Sequence, residues 1–205
     1  MATAGATMRA RAPTFFEEVI AGTPGDSRLV MCIQCGTCGG SCPSSADMDY
    51  TPRALFAMIE AGLKKEVLRS NTPWYCVSCY YCMVRCPQEV HITDIMYTLK
   101  RMAVQEGLYK ESSAAEAPAF SSTFIGNVEN YGRSFELGLA TRFHLSYHPL
   151  DMHKMAPLAL DMLRRGRIDL TPNRIKNMDQ LKAILAKAKE LGGALGNTVT
   201  TLAAL

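Results

Sequence analysis

Thr51-Pro-Arg-Ala-Leu-Phe-Ala-Met-Ile-Glu-Ala-Gly-Leu-Lys-Lys-Glu-Val-Leu68 separates two runs of cysteine, and its periodicity decides the fold. Thr51 followed by Pro52 reads as an N-cap with proline at the first helical position. Leu55, Met58, Ile59 and Leu63 then recur at helical spacing. Gly62 can end this helix, and Lys64 to Leu68 can form another turn or two. Thr72-Pro73 repeats the cap signal just before the second cysteine run. From 44 to 107 there is no persuasive alternation of period two, so the spacer predicts helices rather than strands.

Outward from the spacer, the cysteines form an internal repeat. Cys32, Cys35, Cys38, Cys42 and Pro43 match Cys76, Cys79, Cys82, Cys86 and Pro87 at an offset of 44 residues, and these account for all 8 cysteines. A [4Fe–4S] cluster needs four thiolates, one per iron, and spacings of three let successive thiolates reach three corners from one tight loop. In chains with two such runs, the fourth cysteine, followed by proline, ligates the other cluster. The expected ligand sets are therefore Cys32, Cys35, Cys38 and Cys86 for one cluster, and Cys76, Cys79, Cys82 and Cys42 for the other. Structural zinc and disulfides are the competing readings. Zinc ribbons pair two Cys-x2-Cys knuckles across a longer spacer, and disulfides belong to exported chains. The pattern favours iron and sulfur.

Gly36, Gly39 and Gly40 permit tight wrapping in the first loop and aim backbone N–H groups at the sulfurs. The second loop carries Tyr80 and Tyr81 where the first has Gly36 and Thr37, so the clusters are expected to differ in burial and in potential. Trp74, Tyr75, Tyr80 and Tyr81 bracket the second cluster and are expected to wall off water, some of them lining a partner surface.

The flanks complete a mainly α chain, an α-helical ferredoxin-like domain with two [4Fe–4S] clusters plus a helical C-terminal extension. Residues 1–13 read as disordered. Residues 14–107 form the cluster domain, opening with a short helix from Thr14. After the second run, Ile92, Ile95, Met96, Leu99, Met102 and Ala103 make a helical stripe stopped by Gly107. The extension is 108–193. Within it, Ser112 to Phe124 reads as loop, Asn127 to Leu139 as a short helix interrupted by Gly132, and 150–165 as a helix ended by Gly166. A further helix at 178–191 has Leu181, Ile184, Leu185 and Ala188 on one face. Residues 194–205 read as a flexible tail.

Composition excludes several classes. The net charge of +3 is too small to argue for nucleic acid. No apolar run is long enough to span a membrane. The N-terminal residues have no apolar signal region, so a cytoplasmic location is expected. There is no phosphate-cradling glycine loop, no dinucleotide fingerprint and no nucleophile elbow, and no cysteine follows Cys86. The chain thus has electron carriers and no visible catalytic residue. His91, His144, His148 and His153 read as surface or interface histidines. Arg164, Arg165, Arg167, Arg174 and Lys176 read as a solvated face, with docking to an acidic partner as the sharper option.

Cys32-Ile-Gln-Cys-Gly-Thr-Cys-Gly-Gly-Ser-Cys-Pro43, Tyr50-Thr-Pro-Arg53 and Trp74-Tyr-Cys-Val-Ser-Cys79 resemble the C subunit of heterodisulfide reductase, and more closely the bacterial heterodisulfide-reductase-like complexes. The resemblance covers 14–107, and Gly166-Arg-Ile-Asp-Leu-Thr-Pro-Asn-Arg-Ile-Lys176 is similar to the family's C-terminal portion. It implies an iron–sulfur subunit of an oxidoreductase complex, passing electrons between a flavin and iron–sulfur subunit (A-like) and a CCG-motif catalytic subunit (B-like). It also implies that residues 108–205 dock the B-like subunit. A free-standing dicluster ferredoxin and the iron–sulfur subunit of a quinone-linked dehydrogenase are the alternatives.

Overall fold

The computed structural model describes residues 11–114, 116–147 and 152–192. Most of the expected disordered N-terminus, 1–13, and all of the expected tail, 194–205, lie outside them. Among the described residues there are eleven α-helices, two short 3-10 turns and no strand. The chain divides into two compact units at residues 103/104.

The first unit contains α1 (Phe15–Gly22), α2 (Thr37–Ser41), α3 (Pro52–Glu60), α4 (Lys64–Arg69), α5 (Thr72–Tyr75), α6 (Tyr81–Val84) and most of α7 (Ile92–Gln105). α1 begins in a capping box. Thr14 Oγ1 accepts from the Glu17 N–H at 3.3 Å, and the Glu17 carboxylate accepts from the Thr14 N–H at 2.6 Å. α3 begins at the Thr51 cap, whose hydroxyl accepts from the Ala54 N–H at 3.4 Å. Val19, Leu55, Phe56, Ile59, Leu68 and Leu99 are buried in the core.

Two details of the spacer differ from expectation. The buried face of α3 is Leu55, Phe56 and Ile59, while Leu63 is 43% exposed. α3 ends at Glu60, and Gly62 at φ +76° turns the chain, so Leu63 no longer extends the helical stripe. At the second cap signal, Asn71 is the cap residue and Thr72 lies one position inside α5. The Thr72 hydroxyl is drawn away to Tyr50, accepting from its N–H at 3.1 Å and donating to its carbonyl at 2.8 Å. Asn71 acts alongside it. Its side-chain oxygen accepts from the Asp49 N–H at 2.7 Å, and its amide donates to the Asp47 carbonyl at 3.1 Å. The Asp49 carboxylate accepts from the Asn71 N–H at 2.7 Å. This part-buried clamp ties the chain leaving the first cysteine loop to the chain entering the second.

The second unit contains α8 (Glu116–Tyr131), α9 (Glu136–Tyr147), α10 (Met152–Arg164) and α11 (Met178–Gly192). Here the sequence misled. The loop expected at Ser112–Phe124 is helical from Glu116 onward. Its polar run is satisfied inside the helix, because Ser121 donates to the Ala117 carbonyl and Ser122 and Thr123 donate to that of Ala119. Phe120 meets Phe143 of α9 edge-on at 5.5 Å, a contact that periodicity does not reveal. The short helix expected at Asn127–Leu139 is instead the end of α8, a break and the start of α9. The break is Gly132, at φ +75°. An added Cβ there would lie 2.4 Å from Ile175, whose N–H donates to the Tyr131 carbonyl at 3.1 Å. On α11, Leu181 and Leu185 are half-buried, whereas Ile184 is 64% exposed. Among the described residues no helix is long and apolar enough to cross a membrane.

Candidate iron–sulfur site

The two cysteine loops follow the same path. Each runs through a left-handed residue between its first and second cysteines, Gln34 at φ +57° and Ser78 at +55°. Each enters a short helix through a second one, Gly36 at +80° and Tyr80 at +61°. The short helices, α2 and α6, pack against each other. Arg85, at the end of α6, donates to Ser41 Oγ of α2 at 3.2 Å and lies 5.5 Å from the Tyr81 ring centre. Glycine is therefore not required for the turn into the helix. In the second loop a tyrosine holds the same strained conformation.

All eight cysteines are free thiols. Cys32, Cys35 and Cys38 line one cavity together with Cys86 of the second run. Cys76, Cys79 and Cys82 line another together with Cys42 of the first. Ile92, the first residue of α7, lines both, so the cavities are neighbours within one unit. No carboxylate or imidazole lines either space. Among the described residues no three Cys, His, Asp or Glu groups converge on a point suited to one ion. Four sulfurs spread around each space, with no three of them converging on one point, fit a [4Fe–4S] cluster better than a single zinc ion.

The electrostatics differ between the two cavities. Cys38 is buried, and burial pushes its thiol up to about 11, so metal must displace a proton there. Burial also raises Cys42 and Cys82. Cys35 is exposed, and a hydrogen bond from the Thr37 hydroxyl, 3.3 Å away, lowers it. Further donors face the first cavity's sulfurs. Gln34 Nε2 stands 3.7 Å from Cys32 Sγ, and the Val90 N–H donates to Cys86 Sγ at 3.4 Å. At the equivalent positions of the second loop, Ser78 donates to the Tyr97 hydroxyl at 2.7 Å instead, and Tyr81 has replaced Thr37.

The remaining candidates sit as follows. Tyr80 lines the second cavity, and Tyr75, Tyr80 and Tyr81 are all exposed. Among the histidines, His91 Nδ1 is 3.5 Å from the Asp94 carboxylate. His144 is half-buried, His153 is exposed, and His148 lies outside the described residues. Arg165 pairs with Asp161 at 3.1 Å, and Arg174 lies 5.8 Å from the Tyr131 ring centre. Sequence reasoning missed a cavity of about 340 Å³ in the second unit, which Leu137, Ala140, His144, Leu158 and Met162 help to line. It also missed the sulfur-facing roles of Gln34 and Thr37, although both lie inside the cysteine loops.

Comparison with known proteins places this geometry. Residues 28–90 match the family model of the 4Fe–4S dicluster domain. The C subunit of the H(2):CoB-CoM heterodisulfide,ferredoxin reductase of Methanothermobacter marburgensis is 41% identical over 92 residues, covering 45% of this chain and 49% of that protein. An iron–sulfur C subunit of the CoB–CoM heterodisulfide reductase of Methanocaldococcus jannaschii is 47% identical over 76 residues, covering 37% of this chain and 40% of that protein. The C subunit of a ferredoxin:CoB-CoM heterodisulfide reductase of Methanosarcina acetivorans is 38% identical over 92 residues, covering 45% of this chain and 37% of that protein. The chain thus spans about half the length of these relatives or less. The dicluster match and the eight cysteines indicate two [4Fe–4S] clusters and an iron–sulfur electron-transfer role. Residues 28–90 thus match a 4Fe–4S dicluster domain, and the cysteine-bearing part of this chain is similar to the C subunits of heterodisulfide reductases.

Proposed function

We propose that the chain is the electron-relay subunit of a cytoplasmic heterodisulfide-reductase-like oxidoreductase. In this reading Cys32, Cys35, Cys38 and Cys86 hold one cluster, and Cys76, Cys79, Cys82 and Cys42 hold the other. Electrons pass between a flavin and iron–sulfur subunit and a CCG-motif catalytic subunit. Residues 14–107 carry the clusters and 108–193 dock a partner. The division of the chain at 103/104 and the apolar cavity between α9 and α10 support that split.

The observation that carries the reading is the exchange of the fourth cysteine between two cavities that share Ile92. Each cluster, when bound, takes up and releases one electron. The chain's own part is to hold the two sites side by side, line them without carboxylates or imidazoles and leave an edge of each, Cys35 and Cys79, exposed. Electrons can then enter at one edge and leave at the other.

Affinity purification of the chain at native levels, under anaerobic conditions, tests this. A brown complex containing a CCG-motif protein and a flavoprotein is expected. Recovery of a brown, lone monomer would make it a free carrier. Recovery with a membrane quinone-linked dehydrogenase would replace the proposed complex.

A further inference from the structure

Lys100 is a cation on the inward side of α7. Ile92, Thr93 and Met96 line the second cavity, and Lys100 follows Met96 by one turn on the same side of the helix. Its Nζ donates to the carbonyl of Cys76 at 3.3 Å. It stands 4.9 Å from the ring centre of Tyr97 and 6.0 Å from that of Trp74. The side chain is half-buried, and among the described residues no carboxylate pairs with it. Burial lowers its pKa and the charge of Cys76 opposes that, the two influences on it that matter.

A half-buried ammonium without a carboxylate is costly unless some other anion compensates it. Flanking aromatic rings return only part of the lost solvation. The anion that would stand within reach is a cluster held in the second cavity. A cubane held by four thiolates is negatively charged and becomes more so on reduction, so a fixed cation beside it favours the reduced form. The first cavity has a cation too, Arg53, but it is exposed. Water and salt screen an exposed charge far more than a buried one.

We propose that Lys100 tunes the second cluster electrostatically, its ammonium raising the reduction potential of the centre held by Cys76, Cys79, Cys82 and Cys42. The proposal rests on the ligand assignment given above. It makes Lys100 a positioning residue for electrons, acting through space rather than as a ligand.

The test is an EPR-monitored redox titration of the anaerobically reconstituted full chain, comparing the unsubstituted protein with Lys100→Met and Lys100→Arg. Two one-electron steps are expected. Lys100→Met should move one of them to a more negative potential by about a tenfold loss of electron affinity, equivalent to about 59 mV for a one-electron couple. Lys100→Arg, which keeps the charge, should leave both steps in place. In a Cys42→Ala background the surviving step should not respond to Lys100→Met. Steps that stay put in Lys100→Met, move together, or shift equally in Lys100→Arg overturn the tuning role while leaving the two clusters standing. An unsubstituted chain that assembles fewer than two reducible clusters overturns the tuning role and the ligand assignment together.

Discussion

The two cysteine loops share one backbone and differ in what they do with it. Both turn through left-handed residues at equivalent positions, and both exit through Cys-Pro into the other's cavity. The first loop turns its side chains toward sulfur, with Gln34 facing Cys32 and Thr37 facing Cys35. The second directs them elsewhere, with Ser78 bonded to Tyr97 and Tyr81 under Arg85. A backbone repeat thus supplies two similar cages, and the side chains around them make the cages unequal. Local hydrogen bonds dominate around the first, and a half-buried lysine stands beside the second.

The largest effect should come from breaking the exchange of fourth cysteines. Cys42→Ala should remove the second cluster and Cys86→Ala the first, each lowering iron content by about half. If Cys42→Ala instead removed the cluster of its own run, the two loops would be independent cages and the comparison would fail. Iron analysis together with EPR of the surviving centre decides this.

The joint between the loops comes next. Asn71→Ala deletes the acceptor of the Asp49 N–H and the donor to the Asp47 carbonyl, both part-buried. The expected cost is about 1–3 kcal/mol for groups left without partners. It should be read as a lower denaturant midpoint of the cluster-loaded chain. A variant as stable as the parent would mean that the cysteine exchange alone holds the loops together.

How much of this was legible in the sequence depends on how local the cause is. The grouping of the cysteines was read from the general pattern of chains with two Cys-Pro runs, in which the fourth cysteine serves the other cluster, and the linings of the two cavities follow the same grouping. The α1 and α3 starts were legible because a cap is a contact between residues three apart. What escaped notice depends on packing from elsewhere. Thr72 gave up its cap role because Tyr50 lies beside it. Ser112–Phe124 looked like loop because its polar run conceals the contact between Phe120 and α9. Lys100 lies one turn beyond Met96 and two beyond Ile92 on α7, outside the apolar stripe that the sequence shows. Only the fold shows what lies beneath it.

Backbone strain sharpens the comparison with opposite signs. Gly36 and Tyr80 hold the same left-handed conformation, which costs a non-glycine residue about 1–2 kcal/mol. Gly36→Ala should therefore destabilise the loaded chain by about 1 kcal/mol. Tyr80→Gly should relieve strain of similar size, less whatever contact the exposed ring makes with the cavity rim. Thermal denaturation under anaerobic conditions measures both. Equal losses from the two substitutions would mean that the tyrosine is held in place by contacts worth more than the strain.

The smallest effect belongs to the hydrogen bond that most plainly distinguishes the loops. Thr37→Val keeps the shape and removes the hydroxyl from Cys35 Sγ. A hydrogen bond to a ligand sulfur stabilises its negative charge, so its loss should make the first cluster harder to reduce. Cys35 is exposed, so water can take over part of the lost interaction. The charge of Lys100 has no such substitute, because it is half-buried beside Cys76. The first cluster's midpoint should therefore move to a more negative potential, by less than Lys100→Met moves the second, and the second midpoint should not move at all. A shift in the second midpoint would show that the two cages do not tune their clusters separately. A shift as large as that of Lys100→Met would show that the hydroxyl, although at the surface, matters as much to its cluster as the buried charge does to the other.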